Sequence, residues 1–286
     1  MPFKIISSET IAPEVQRIVV EAPRIAAKRK AGQFIVLRIC EQGERIPLTV
    51  VDSDAKNGTI TLVVQGIGQS TRELNQLKPG EFIEDVLGPL GKPSEIHQAG
   101  TVVVVGGGVG TGVAYPTAKA FKEAGNKVIG IVGARNKDLV VLEKEMKAIC
   151  DETYITTDDG SYGFHGLVTD KLKELIAMGV QINLVLAVGP LVMMRAVEAV
   201  TREHNIPTTV SLNPIMIDGI GMCGGCRATV GGKTVFVCVD GPEFDAHQVD
   251  FESLILRNRA YKLDEMTAMQ IHKCRLETAP QGYPHD

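Results

Sequence analysis

The chain has 286 residues, 44% of them hydrophobic, and its formal net charge is only −4. A chain of this size can form two or three compact units, and the lack of any block of like charge excludes a nucleic-acid-binding stripe and a polybasic membrane patch. The N-terminus lacks the apolar core of a signal peptide, and no apolar run is long enough to span a bilayer. We therefore expect a cytoplasmic protein whose partners are small molecules and proteins, with no nucleic acid and no membrane.

The first part of the chain predicts β-strands. Short stretches rich in β-branched residues alternate with Gly, Pro, Asn and Asp, which favour turns. These stretches cover residues 9–23, 32–39, 46–54 and 58–65. Residues 1–98 are therefore expected to form a small antiparallel β-barrel.

From residue 99 the pattern changes to buried strands followed by helices. "TVVVVGGGVGTGVAYPTAKAFKEAG" predicts an apolar strand, a glycine turn and a helix, and residues 127–134 and 182–189 predict further buried strands. Strands that alternate with helices form a parallel sheet with crossover helices. We expect a Rossmann-like α/β domain over residues 99–209. Residues 210–286 are expected to form a small cysteine-containing segment that ends in a helix near residues 265–277.

The glycine turn after the first parallel strand is a candidate nucleotide site. Glycines between a strand and a helix let the backbone approach a pyrophosphate and direct the helix N-terminus at its charge. The spacing departs from G-x-G-x-x-G, so a tight turn that only packs the helix on the strand is an alternative. The candidate residues are Gly106, Gly107, Gly108 and Gly110.

A second candidate pyrophosphate site lies in the barrel. Arg45 stands four residues before Thr49 on a predicted strand, and a turn rich in glycine and hydroxyl side chains precedes a predicted helical turn. An arginine, free backbone N–H groups and a hydroxyl can together hold a pyrophosphate. The turn residues are Gly66, Gly68, Ser70 and Thr71.

The order of these motifs resembles that of ferredoxin-NADP reductase-like flavoproteins. The motifs are "GQF" at residues 32–34, the strand 45–49, "GIGQST", "GPLG" at residues 88–91, "GGGVG" and "AVGPLVMM". The resemblance implies that the barrel binds FAD, with Thr49 as a catalytic residue at the isoalloxazine, and that the second domain binds a nicotinamide nucleotide. The strand residues it assigns to FAD are Arg45, Pro47, Leu48 and Thr49. Those it adds to the nucleotide site are Gly189 and Pro190.

Two further residues are assigned to the nicotinamide nucleotide. "TDDGSYGFHGLVTDKL" at residues 157–172 resembles the electron-transfer subunit of dihydroorotate dehydrogenase and its relatives. This implies a nucleotide contact at Asp158, for which a solvated turn is the alternative. Arg135 follows the second parallel strand, where it and Lys137 are placed to meet a 2′-phosphate. The family resemblance favours NAD(H).

Three cysteines within residues 218–241 have the spacing of iron–sulfur ligands. The pattern is Asp218-x4-Cys223-x2-Cys226-x11-Cys238, with an aspartate where a fourth thiolate is expected. In a reducing compartment, close cysteines indicate a metal and not a disulfide framework. One alternative is a structural zinc bound by three thiolates and a carboxylate. Another is that Asp218 only starts a turn, with water or Cys274 as the fourth ligand.

The surrounding segment, "LNPIMIDGIGMCGGCR", resembles the iron–sulfur segment of dihydroorotate dehydrogenase electron-transfer subunits, in which C-x4-C-x2-C is followed by a distant fourth Cys. An Asp at the first position is similar to the small subunits of NADH-dependent reduced ferredoxin:NADP oxidoreductases, also called sulfide dehydrogenases. The resemblance implies a 2Fe-2S cluster. Its ligands would be Asp218, Cys223, Cys226 and Cys238.

The resemblance thus implies an electron-transfer flavoprotein subunit with FAD, a 2Fe-2S cluster and NAD(H) as cofactors. Electrons would pass to a larger iron–sulfur flavoprotein subunit in a heterodimer that couples ferredoxin, NAD(H) and NADP(H) by electron bifurcation. Ferredoxin would bind through the partner, because this chain has too few cysteines for further clusters. The alternatives are a dihydroorotate-type subunit, a hydrogenase-linked subunit, and a zinc-stabilised nucleotide-binding module without redox activity.

Overall fold

The computed structural model describes residues 2–265 and residue 267. Within them, two antiparallel sheets, a parallel α/β sheet and a small third unit follow one another along the chain, so the predicted fold class is confirmed. Cys274 and most of the helix predicted at residues 265–277 lie outside the described residues. Over the described range, none of the helices combines the length and the apolar character needed to cross a membrane.

Strands and helices are named in chain order. The first third contains β1 (Phe3–Ala12), β2 (Val15–Glu21), α1 (Pro23–Ala26), β3 (Phe34–Arg38), β4 (Arg45–Thr49), β5 (Asp52–Asp54), β6 (Thr59–Gln65), α2 (Gln69–Gln76), β7 (Phe82–Ile83) and β8 (Asp85–Leu90). The α/β part contains β9 (Thr101–Gly107), α3 (Gly110–Glu123), β10 (Lys127–Ala134), α4 (Glu143–Ile149), β11 (Glu152–Thr157), β12 (Phe164–His165), α5 (Val168–Ala177), β13 (Leu184–Val188), α6 (Leu191–Glu203) and β14 (Thr208–Ser211). The remainder contains β15 (Arg227–Val230), β16 (Lys233–Phe236), α7 (Val237–Asp240), β17 (Glu243–Asp245) and α8 (Phe251–Asn258).

The first eight strands form two antiparallel sheets, ordered β5-β6-β2-β1-β7 and β4-β3-β8. Side chains alternate along β6, so that Ile60, Leu62 and Val64 join the core that the two sheets share. The predicted strand at residues 9–23 is wrong, because the chain reverses at Glu14, whose φ is 59°, and the stretch is divided between β1 and β2. A Pro-Glu pair inside a run of β-branched residues is a weak turn signal.

The second sheet has the order β12-β11-β10-β9-β13-β14-β17, and all of its strands except β17 are parallel. The central strand β9 is apolar on both sides because helices cover both faces of the sheet. Val102 and Val104 pack with α3, whereas Val103 and Val105 pack with α5 and α6. The strand order changes direction between β9 and β13, and nucleotides bind at the carboxyl ends of strands at such a point.

The cysteine-containing unit is more regular than its sequence suggests. β15 and β16 form a hairpin around Gly231 and Gly232, and β17 extends the parallel sheet by pairing antiparallel with residues 209–211 of β14. Cys226 and Cys238 are buried in the same core cluster as Phe34 of β3. The unit therefore packs against both the sheet and the barrel.

Candidate functional site

The strand assigned to FAD is β4, which pairs with β3 in the register Thr49–Phe34 and Pro47–Val36. Arg45 is exposed at the start of the strand, and Thr49 is half-buried at its end. The nearby helix α2 begins after Gly68, whose backbone N–H donates to the Thr71 hydroxyl at 3.0 Å. The first N–H groups of a helix have no partner within the helix, so this end of α2 can receive an anion.

A hydrogen bond links the two parts of this flavin site. The Ser70 hydroxyl, in the first turn of α2, donates to a carboxylate oxygen of Glu44 at 2.9 Å, and Glu44 directly precedes Arg45. The structure therefore brings β4 and the "GIGQST" turn together, as the prediction of a single FAD site requires. Sequence analysis did not single out Glu44, because an exposed glutamate in a loop carries no signal of its own.

The glycine turn lies at the change of strand order, beside the end of β13. A Cβ on Gly110 would come within 2.5 Å of the Val188 carbonyl oxygen and 2.8 Å of the Gly189 Cα, so the two turns pack backbone to backbone. Met193 covers Gly107 and Gly189. Gly108 differs from these glycines: its φ is 55°, and a Cβ there would meet no atom within 4 Å. Gly108 therefore faces open space at the predicted nucleotide site.

Arg135 and Asp158 extend the same edge of the sheet, after β10 and β11. The Gly108 N–H donates to the Gly133 carbonyl at 2.8 Å, and the Asp158 N–H donates to the Ala134 carbonyl at 3.1 Å. Arg135 and Asp158 are both exposed. The predicted nucleotide residues thus lie on four neighbouring loops, which follow β11, β10, β9 and β13.

The four predicted cluster ligands lie in one loop and the helix that follows the hairpin. The Asp218 carboxylate accepts the backbone N–H of Ile220 at 3.0 Å and that of Cys223 at 2.6 Å, and these bonds hold the pKa of its carboxyl below the usual range. The Cys238 N–H donates to the Cys226 sulfur at 3.4 Å. Burial, reinforced by the Cys226 thiol, raises the pKa of Cys238 to about 12.

The donors thus form two pairs, one of Asp218 with the exposed Cys223 and one of the buried Cys226 with Cys238. Throughout residues 2–265, no three His, Cys, Asp or Glu side chains are arranged so that they could hold one metal ion.

The loop that carries Asp218 packs directly on the barrel. A Cβ on Gly219, whose φ is 72°, would lie 2.8 Å from side-chain atoms of both Leu90 and Val36. Only glycine combines this backbone conformation with such a close approach. Val36 lies on β3, between β4 and β8, and faces Pro47 across the strands. The cluster loop, residues 218–226, therefore packs on β3 and β8. These strands belong to the same small sheet as β4, the strand predicted to bind FAD and called the FAD strand below.

Two family models match the chain, one over the barrel and one over the cysteine-containing unit. Residues 2–94 match the oxidoreductase FAD-binding domain, and residues 213–250 match the iron–sulfur cluster binding domain of dihydroorotate dehydrogenase B. The second range contains all four predicted cluster ligands. The fold and these domains define an oxidoreductase flavoprotein with an iron–sulfur domain.

Individual relatives are similar over most of their length. A dihydroorotate dehydrogenase B (NAD(+)) electron-transfer subunit homolog from Thermotoga maritima is 45% identical and covers 92% of each chain. The electron-transfer subunit of that enzyme from Geobacillus thermodenitrificans is 34% identical over 86% of this chain and 96% of its own. A structure of the NADH-dependent reduced ferredoxin-NADP oxidoreductase, solved for insight into flavin-based electron bifurcation, is 42% identical with a TM-score of 0.90, covering 94% of this chain and 97% of that one.

The chain belongs to the family of dihydroorotate dehydrogenase B electron-transfer subunits and their homologues. It is an oxidoreductase subunit for electron transfer, and FAD and an iron–sulfur cluster are its cofactors. These points confirm the resemblance on which the sequence predictions rest.

Proposed function

We propose that this chain moves electrons between NAD(H), FAD and a 2Fe-2S cluster and delivers them to a larger partner subunit. The contact of Gly219 with Val36 carries the proposal, since Val36 is the cross-strand neighbour of Pro47 on the FAD strand. Neighbouring strands are about 4.8 Å apart. The flavin strand and the cluster loop are therefore separated by one strand, and a short separation favours electron transfer between the cofactors they hold.

The barrel residues bind and orient FAD. The exposed Arg45 guanidinium pairs with the pyrophosphate, the first N–H groups of α2 donate to it, and the Thr49 hydroxyl meets the isoalloxazine. Gly66, Gly68 and Thr71 shape the turn, and Ser70 supplies a hydroxyl once Glu44 releases it. When bound, FAD supplies the exchange between two-electron and one-electron transfer.

The carboxyl edge of the parallel sheet binds the nicotinamide nucleotide. The open space in front of Gly108 receives the pyrophosphate, and the close packing of Gly107, Gly110 and Gly189 positions the α3 N-terminus behind it. Asp158 favours NAD(H), because a carboxylate accepts hydrogen bonds from ribose hydroxyls and repels a 2′-phosphate. Arg135, after β10, and Pro190, after β13, flank the glycine turn that follows β9.

The paired donors fit a cluster of two irons. Each iron of a 2Fe-2S cluster takes two protein ligands, whereas a structural zinc needs four donors around one point. The placement of Asp218 beside Cys223 and of Cys226 beside Cys238 supports two ligands for each iron. The carboxylate matches a thiolate in charge but donates less electron density, so it would tune the cluster potential.

Three substitutions at Asp218 test this ligand assignment. Asp218→Asn keeps an oxygen for the Cys223 N–H but removes the negative charge, and Asp218→Ala removes both; each should make the cluster labile. Asp218→Cys should retain the cluster with a shifted EPR spectrum and potential. Equal iron content, spectra and potentials in all three variants and the parent would show that Asp218 only shapes the turn.

The partner is proposed to be the larger iron–sulfur flavoprotein subunit of an electron-bifurcating complex that couples ferredoxin, NAD(H) and NADP(H), by analogy with the solved oxidoreductase of similar fold. Exposed apolar side chains surround the cluster loop and suit a protein interface: Ile217, Ile220, Met222 and Val239. A dihydroorotate-type partner is the second candidate, since the curated relatives carry that name.

Purification of the native complex distinguishes these partners. We expect a co-purifying larger subunit with its own flavin and iron–sulfur clusters, and NADH-dependent activity with ferredoxin and NADP. A partner that oxidises dihydroorotate would support the second candidate. A chain that elutes only as a monomer with full ferredoxin-linked activity would contradict both.

A further inference from the structure

A carboxyl group lies where the barrel, helix α3 and the cysteine-containing unit meet. One oxygen of Glu243, at the start of β17, accepts the Ser94 hydroxyl at 2.7 Å and the Thr117 hydroxyl at 3.4 Å. The two hydroxyls are also 2.9 Å from each other. Ser94 follows the barrel and Thr117 is buried on α3, so this triad joins all three units of the chain.

The triad anchors the cluster-bearing segment on the barrel. The Ser94 N–H donates to the Ala31 carbonyl at 2.9 Å, and two residues earlier the Lys92 N–H donates to the Gly241 carbonyl at 2.7 Å. Gly241 follows Cys238 by three residues. The residues around Glu243 therefore tie the segment that carries a cluster ligand to the end of β8.

The triad is also connected to β4, the FAD strand. Gln33, next to Ala31 and Gly32, accepts the Val50 N–H at 3.4 Å through its carbonyl, and Val50 directly follows Thr49. Gly32 lies so close to Ser94 that a Cβ there would overlap the hydroxyl. Beyond the hydrogen bond between the Ser94 and Glu243 side chains, backbone contacts run from Ser94 through residues 31–33 to Val50 at the end of β4.

Among the described residues, Glu243 has no cationic partner. Within the described part of the chain it forms no ion pair with Lys, Arg or His. Loss of solvent raises the pKa of its carboxyl, against the lowering effect of the Ser94 and Thr117 hydrogen bonds. A largely buried acid without a cation is costly for stability, and its hydrogen bonds to Ser94 and Thr117 are what offset that cost at this junction.

We infer that Glu243 is a positioning residue that fixes the cluster-bearing segment against the FAD strand and thereby sets the rate at which electrons pass from flavin to cluster. This inference rests on the proposed function. In the step concerned, NADH is oxidised to NAD⁺ and gives two electrons and a proton to the flavin. One electron then reduces one ferric iron of the cluster, and the other stays on the flavin.

Stopped-flow absorbance and freeze-quench EPR on the FAD- and cluster-loaded protein separate the two transfers. Glu243→Ala should leave flavin bleaching by NADH within about twofold of the parent and slow cluster reduction on the order of tenfold, because electron transfer falls exponentially with the distance between flavin and cluster and loss of the anchor lets that distance grow. Glu243→Gln keeps the accepting oxygen and should restore the parent rate. Glu95→Gln removes a neighbouring exposed charge outside the triad and should change neither rate.

The outcomes separate the inference from the function it depends on. If Glu243→Ala fails to fold, Thr117→Val removes one bond of the triad and should show the same selective slowing to a smaller degree. Parent-like cluster reduction in the folded variants, while the parent itself responds to NADH, would overturn the positioning role alone. A parent flavin that NADH does not reduce would overturn the inference and the proposed function together.

Discussion

Replacing Gly108 by valine should abolish nucleotide binding and leave the flavin in place. Gly108 is the glycine of its turn at which a Cβ would meet no atom within 4 Å, so the new side chain enters the open space assigned to the pyrophosphate. Its φ of 55° adds a backbone cost of about 1–2 kcal/mol to the free energy of folding. A domain with this much buried core should survive that cost.

The expected loss of affinity follows from the contacts that valine displaces. Hydrogen bonds to charged groups contribute about 1.5–3 kcal/mol each. Loss of two backbone N–H bonds to the pyrophosphate should therefore raise the Kd for NADH at least about 100-fold. FAD content should not change, because the barrel site shares no residue with this turn.

Stopped-flow bleaching of the flavin at increasing NADH concentration measures the effect, and Gly179→Val is the matched control. Gly179 also has a positive φ, 79°, and open space around its Cβ position, but it lies after α5, before the amino end of β13. The control carries the same backbone strain and should keep parent-like kinetics. If Gly108→Val folds, retains FAD and is reduced by NADH with parent-like concentration dependence, the nucleotide does not bind at this turn.

Arg45→Ala should weaken FAD binding by about 2 kcal/mol, because a charge-assisted contact is lost. Equilibrium dialysis measures this, with Arg24→Ala, at an exposed arginine of α1, as the control. Equal FAD retention in both variants would remove Arg45 from the site. Met222→Asp should weaken association with the larger subunit at least about tenfold on titration calorimetry without loss of iron, and parent-like binding would place the interface elsewhere. Burial raises the pKa of Cys150 to about 11, so native-state alkylation at pH 8 should modify the exposed Cys40 far faster. Because the folded protein binds this proton more tightly, the free energy of unfolding should fall as pH rises from 9 to 11, and Cys150→Ala should reduce that fall.

Sequence analysis could propose site residues wherever a backbone conformation, a ligand charge or a metal restricts the residue type. The glycine turn, Arg45 and the cysteine spacing fall in this class, because close backbone approach, pyrophosphate charge and iron each restrict the choice of side chain. The parallel strands were also predictable, since burial on both faces leaves continuous apolar runs such as residues 101–105.

Contacts between distant segments were not predictable. Nothing local marks Gly219 as a neighbour of Val36, or Glu44 and Glu243 as acceptors of hydroxyls far away in the chain. Exposed and partly buried glutamates occur in most loops, and only the packing of the three units gives these two their partners. The β15–β16 hairpin is a different case, because the Gly231–Gly232 pair was an available signal for a two-residue turn that was overlooked.

Anaerobic addition of NADH to the FAD- and cluster-loaded protein, followed by absorbance and EPR in the same sample, tests most directly whether this chain passes electrons from nucleotide to flavin to cluster. We predict that the flavin bleaches first and that the EPR signal of a reduced 2Fe-2S cluster then develops, with Asp218→Cys shifting that signal. A flavin that is fully reduced by NADH beside a cluster that stays oxidised, although its measured potential lies above that of the flavin, would contradict electron transfer between them.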